Sequence, residues 1–167
     1  MKIIGKKEKF ALQYEILYTN PILISYYCLW INNCQIGDLE DASPIFPLYN
    51  VLKRLIDQRG SMFDEEFLAI KSDDSLFNYL VYGNIDPLNR QINPKLDKYM
   101  VFLGENFDRW IIRVIANNGV YKFIWKEPIS NHSHDLYDKV HSEEVDYIEL
   151  LYVYKGLEKK IYTYSKK

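Results

Sequence analysis

Cysteine, histidine, glycine and proline are all scarce: two, three, seven and six of 167 residues. Two cysteines cannot staple a fold of this size, which excludes a disulfide-framed secreted scaffold and fits a reducing compartment. The glycines are too few and too scattered for a dinucleotide fingerprint. No GxxxxGK[ST] phosphate loop, GxSxG elbow, HExxH or CxxC pair is present. No stretch approaches the roughly 20 consecutive apolar residues of a helical membrane span. The opening Met1-Lys2-Ile3-Ile4-Gly5-Lys6-Lys7-Glu8 lacks the apolar centre of a secretion signal, so a cytoplasmic location is expected. The net charge of −2 argues neither for nor against nucleic acid.

Aromatic side chains are plentiful: 15 Tyr, 8 Phe and 3 Trp. They suit strands, cores and half-wet binding surfaces. A chain of this length buries about two thirds of its unfolded surface without metal or disulfide. No linker, repeat or low-complexity stretch divides it, so one domain over 1–167 is expected. The charge is segregated. Both ends are basic, with Lys2, Lys6, Lys7 and Lys9 at the start and Lys155, Lys159, Lys160, Lys166 and Lys167 at the end. Acids cluster between them at Asp64-Glu65-Glu66, Asp73-Asp74 and Asp135 to Glu149. Each cluster reads as a solvated face or as a patch for a basic partner.

Strands, helices, strands and a final helix follow along the chain. Lys9 to Leu17 alternates, with Phe10, Leu12, Tyr14 and Ile16 on one face. Leu23 to Ile31 and Cys34 to Gly37 flank Asn32-Asn33, a two-residue hairpin turn. That turn pairs Ile31 with Cys34 and Leu29 with Ile36. Cys28 and Cys34 then point to opposite faces and cannot bridge. Pro47 opens a helix whose stripe is Leu48, Val51, Leu52, Leu55 and Ile56, ending at Arg59-Gly60. Asp73 to Val81 reads as a helix capped by Ser72 or Asp73 and ended by Gly83-Asn84. Ile85 to Pro94 reads as the most mobile loop. Tyr99 to Leu103 reads as a strand, and Trp110 to Asn117 pairs with Val120 to Lys126 around Asn118-Gly119. Glu127 to Val140 reads as a loop. A last helix is expected from Glu143 to about Ile161, capped by Ser142, with Gly156 costing about 1 kcal/mol in its interior; a strand over Ile148 to Tyr154 is the alternative. The fold class is therefore α+β: an antiparallel sheet of about five to seven strands, with two to three helices packed mainly on one face.

Candidate chemistry is thin. His132-x-His134-Asp135, with His141 nearby, lacks a third spaced ligand and reads as a polar loop. Cys34 opposite Ile31 reads as structural, and adjacent acids such as Asp64-Glu65-Glu66 diverge rather than converge on a cation. No catalytic residue, cofactor or metal is assigned, and an enzyme is not expected.

Two segments are familiar. Ile4-Gly5-Lys6-Lys7-Glu8-Lys9-Phe10-Ala11-Leu12-Gln13-Tyr14-Glu15 and Cys28-Leu29-Trp30-Ile31-Asn32-Asn33-Cys34-Gln35-Ile36-Gly37-Asp38 together resemble the opening of bacterial immunity-protein family forty-two. That family belongs to polymorphic-toxin and contact-dependent inhibition systems. Lys6 stands where the family commonly has an acid, and Leu29 where it has an aromatic. The resemblance implies an immunity protein that binds and neutralises a cognate toxin domain. Many such toxins are nucleases, so the partner is a protein rather than nucleic acid or membrane. It carries over no catalytic residue. The acids expected to meet a basic toxin are Asp64, Glu65, Glu66, Asp73, Asp74, Asp135, Asp138, Glu143 and Glu144. Without the resemblance, a generic protein-binding module or a small ligand-binding domain or enzyme would remain.

Overall fold

Two pairs of left-handed residues set the registers of the molecule. Asn32 (φ 49°) and Asn33 (φ 66°) close one hairpin; Asn118 (φ 50°) and Gly119 (φ 82°) close the other. The computed structural model describes residues 1–18, 22–83, 94–127 and 139–164. The first hairpin joins β3 (Ile24–Ile31) to β4 (Cys34–Ile36), with Ile31 opposite Cys34 and Leu29 opposite Ile36. The second joins β6 (Ile111–Asn117) to β7 (Val120–Lys126), with Val114 opposite Phe123 and Ile112 opposite Trp125. Both registers are those the turns predict. Cys28 and Cys34 are free thiols, the first buried and the second half-buried.

The fold is α+β, and its eight described strands form two antiparallel sheets of five and three. In the larger sheet β1 (Lys2–Gly5), β2 (Phe10–Tyr18) and β3 lie in order. β4 and β5 (Ala42–Pro44) share the far side of β3. Phe10, Leu12 and Tyr14 face inward with Tyr27, Leu29 and Ile31, all buried. The helices α1 (Phe46–Asp57) and α3 (Tyr147–Tyr164) cover that face. α1 buries Leu48, Val51, Leu52 and Leu55, the stripe read from the sequence. Tyr49 stacks on Tyr154 at 5.5 Å between the two helices.

The smaller sheet, β6, β7 and β8 (Val140–Asp146), is covered on both faces. Its apolar face meets the core: Phe123 packs on Phe10 at 5.7 Å, and the Tyr121 hydroxyl donates to the Leu55 carbonyl at 2.9 Å. Its mixed face receives α2 (Asp73–Tyr82), capped by the Ser72 side chain and ended at Gly83 (φ 73°). Two of the cations on that face, Arg113 and Lys122, hold the two ends of α2. Arg113 Nε donates to the Leu80 carbonyl at 3.1 Å, and Lys122 pairs with Asp73 at 2.5 Å. Arg113 at the C-terminal end and Asp73 in the first turn also complement the helix dipole.

Three expectations need correction. Residues 140–146 form β8 rather than a loop and a Ser142-capped helix start, and the last helix begins at Tyr147. β7 is covered on both faces and β6 pairs with one of its edges, so a helix at Glu143 would leave the ladder groups of its other edge without partners. Tyr99 to Leu103 forms no ladder; Met100 makes a single bridge to Arg113. The Met100 carbonyl is taken instead by Arg54 Nη2. The strand β1 was not foreseen: it is four residues long, with Lys2 and Ile3 exposed and Ile4 and Gly5 half-buried. The loop expected at Ile85 to Pro94 and most of that expected at Glu127 to Val140 lie outside the described residues.

A buried polar knot ties β3 and β5 to the 103–107 turn. The Tyr27 hydroxyl hydrogen is shared between the carbonyls of Leu103 (2.8 Å) and Pro44 (2.9 Å). Asn106, 1% exposed, donates to the Tyr27 carbonyl and accepts from Ser43 Oγ. Burial pushes the Tyr27 phenol up to about 12, so it stays a donor at any physiological pH. Tyr27→Phe should lose about 1–3 kcal/mol, since two buried carbonyls lose their donor; urea unfolding measures it.

Gly156, a costly residue in a helix interior, has a packing reason. A Cβ there would stand 2.5 Å from Ile4 Cγ2, and one on Gly5 would stand 2.9 Å from Val153 Cγ2. The absent side chains let α3 lie directly on β1. Helix propensity alone predicts that Gly156→Ala stabilises by about 1 kcal/mol. The stiff, β-branched Ile4 cannot swing aside, so a net loss of about 1–2 kcal/mol is expected, read as a lowered Tm.

Candidate functional site

β8 carries Ser142-Glu143-Glu144-Val145-Asp146, and the turns of the larger sheet stand opposite. Glu8 and Lys9 come from the β1–β2 turn, and Asn32 from the β3–β4 turn. Between these walls lies a cleft of about 510 Å³. Its lining holds five carboxylates, Glu8, Glu143, Glu144, Asp146 and Glu149, against two lysines, Lys9 and Lys122.

Both lysines are already engaged. Lys9 Nζ is 2.7 Å from Glu149 Oε1, and this hydrogen-bonded pair raises the Lys9 pKa, with Asp146 and Glu8 adding to the pull. Lys122 pairs with Asp73, whose second oxygen accepts from Ser142 Oγ. Asn32 Nδ2 donates to Glu143 at 2.9 Å. Glu8, Glu144 and Asp146 form no ion pair among the described residues. The cleft is therefore a region of net negative potential whose own cations are spent. Such a surface attracts and orients a basic partner.

The expected site residues divide. Glu143 and Glu144 line the cleft as strand residues, and Asp73 joins its floor through Lys122 and Ser142. Asp74 is exposed in the first turn of α2. Asp64, Glu65 and Glu66 sit elsewhere. Asp64 caps the 3-10 turn Glu65–Ala69, and Asp64 and Glu66 line a second cavity of about 410 Å³ with Tyr79 and Tyr99. There Glu66 accepts from the Tyr79 hydroxyl at 2.7 Å, which pushes that phenol up to about 12. Asp135 and Asp138, like His132 and His134, lie outside the described residues. His141 stacks on Trp125 at 5.7 Å. Glu8 and Asn32 enter the cleft without having been singled out. Their signal is positional: both occupy tight turns whose tips the fold aims at β8.

An α+β protein with two antiparallel sheets and three α-helices among the described residues, and an acidic cleft between the sheets, is the class that emerges. The family model of Immunity protein 42 matches residues 1–160, and the chain belongs to that family. Among solved structures, the chain is similar to CdiI from Burkholderia dolosa AUO158. The TM-score is 0.62 and the identity 14%, with 95% of this chain and 99% of that chain covered, a likeness of fold. No curated protein matches. Among the described residues, no helix is long and apolar enough to cross a membrane.

Asp73 gives the cleft a pH signature. Partial burial pushes its carboxyl up, but hydrogen bonds from Lys122 and Ser142 outweigh this and hold it below its ordinary value. A carboxyl depressed in the folded state stabilises fully above its unfolded pKa of about 3.9 and ceases to do so as pH falls through the folded value. Asp73→Asn should therefore cost up to about 1 kcal/mol near neutrality, a small effect because the pair is partly exposed. The gap between the two proteins should close in acid, as read by denaturant titration at both pH values.

Proposed function

We propose that this chain is the immunity half of a toxin–immunity pair. It binds a cognate toxin domain in the cytoplasm and neutralises it by forming a tight complex, acting as one domain over residues 1–167 and by binding rather than turnover. The observation that carries this is membership of the Immunity protein 42 family over residues 1–160. The acidic cleft supports it, because a toxin with a basic substrate groove, such as a nuclease, is complementary to such a surface.

The acids proposed to meet the toxin form three groups. Glu143 and Glu144 line the cleft, with Asp73 bonded to Lys122 and Ser142 of its lining and Asp74 next to it in α2; Asp64 and Glu66 line the second cavity, with Glu65 between them in sequence; Asp135 and Asp138 precede β8 in sequence. Co-expression tests the reading. The toxin domain encoded beside this chain's gene should kill a bacterial host alone, and this protein should restore growth and co-purify with it. Continued death despite soluble, folded protein would overturn the pairing. Charge reversal of the group at the interface should slow association about tenfold or more at low salt and flatten its salt dependence. Unchanged association in all three reversals would remove the electrostatic account.

A further inference from the structure

The smaller sheet has an open side. β8 is its terminal strand, and among the described residues no strand but β7 pairs with it. The parity of those bonds follows from the Asn118-Gly119 turn. In a two-residue hairpin the flanking residues, here Asn117 and Val120, exchange both hydrogen bonds. Bonding then alternates, so Tyr121, Phe123 and Trp125 turn their N–H and C=O groups toward β8. Their partners there are Val145, Glu143 and His141. The Tyr147 N–H to Gly119 carbonyl bond at 2.8 Å continues the same parity one step further. It follows that Ser142 and Glu144 direct both their N–H and C=O groups away from the sheet, and Asp146 its N–H, while the Asp146 carbonyl takes the first bond of α3.

The acidic cleft lies along that same edge. Its lining includes five consecutive residues of β8, 142 to 146. Side chains alternate between the faces of a strand, so residues from both faces can border one cavity only where the cavity runs beside the strand. Unpaired backbone groups thus open into a cleft with five carboxylates and two engaged lysines. Five residues of strand extend about 16 Å, enough for a partner segment of similar length.

Resting on the immunity reading above, we propose that the free edge of β8 is the docking strand. An extended segment of the toxin, rich in Lys or Arg, adds to the sheet as a fourth strand. Its backbone bonds to Ser142, Glu144 and the Asp146 N–H, and its basic side chains meet Glu8, Glu144 and Asp146. Main-chain bonding gives the affinity and the carboxylates select a basic sequence.

The test compares Glu144→Pro with Glu144→Ala, using the toxin domain encoded beside this chain's gene as the probe. Proline is tolerated on an edge strand where its missing N–H would face outward, but it removes one docking donor and sets a ring against the incoming strand. The alanine variant should bind within about tenfold of wild type, and the proline variant about a hundredfold more weakly or worse. In the wild-type complex, the amide hydrogens of Ser142, Glu144 and Asp146 should gain hydrogen-exchange protection, a measurement independent of whether the proline variant folds. Wild-type rescue and binding with no protection at these three amides would overturn the docking strand and leave the immunity reading standing. Absence of wild-type binding would overturn both.

Discussion

β7 is buried on both faces, and the arrangement around it follows from that burial. A doubly covered strand requires partners on both sides, so the acid-rich stretch before α3 becomes β8 although its composition favours a helix start. Cover on the mixed face also takes much of the water from Arg113 and part of it from Lys122. α2 meets them with a carbonyl at one end and Asp73 at the other. Arg113 still feels its surroundings: burial lowers its pKa, though Asp97 and Tyr82 act in the opposite sense. α2 is thus fixed at both ends by the sheet it covers, and Asp73 is fixed beside Ser142 at the floor of the cleft.

The larger sheet meets a different demand: helices must come close to strands without voids. Gly156 and Gly5 let α3 rest on β1, and Gly104 (φ 129°) lets the 103–107 turn close over Tyr27. A Cβ on Gly104 would lie 2.2 Å from the Tyr27 hydroxyl. The polar knot of Tyr27, Ser43 and Asn106 then satisfies backbone groups that this closeness removes from water. On the opposite face, the sheet covers itself. Lys7 lies over the Trp30 ring at 3.7 Å and Trp30 Nε1 donates to Gln13, beside the fully buried Cys28 and Ala11.

Features encoded locally were legible in the sequence. Asn32-Asn33 and Asn118-Gly119 set both hairpin registers, the Leu48 to Leu55 stripe marked α1, and Ser72 with Gly83 bounded α2. The misses share a cause, because each depends on a partner remote in sequence. β1 is too short to show periodicity, and only pairing with β2 defines it. β8 reads as a capped helix until β7 is seen to need it. The cleft was half legible: Glu143 and Glu144 stood out as acids, but Ser142 and Asp73 are sixty-nine residues apart and meet only through α2. Glu8 and Asn32 looked like ordinary turn residues, and their place in the cleft depends on how one sheet leans on the other.

The acids along β8 also determine what the strand refuses. An open edge is a template for self-pairing, and a second copy of this chain offers the same edge. Two such edges aligned would set Glu144 and Asp146 of one molecule against the like charges of the other, with Lys9 and Lys122 already occupied. The repulsion disfavours homotypic assembly while leaving the hydrogen-bonding groups intact. A monomer can therefore keep a reactive strand exposed at high concentration, and the charge pattern acts as a filter on which chains may complete the sheet.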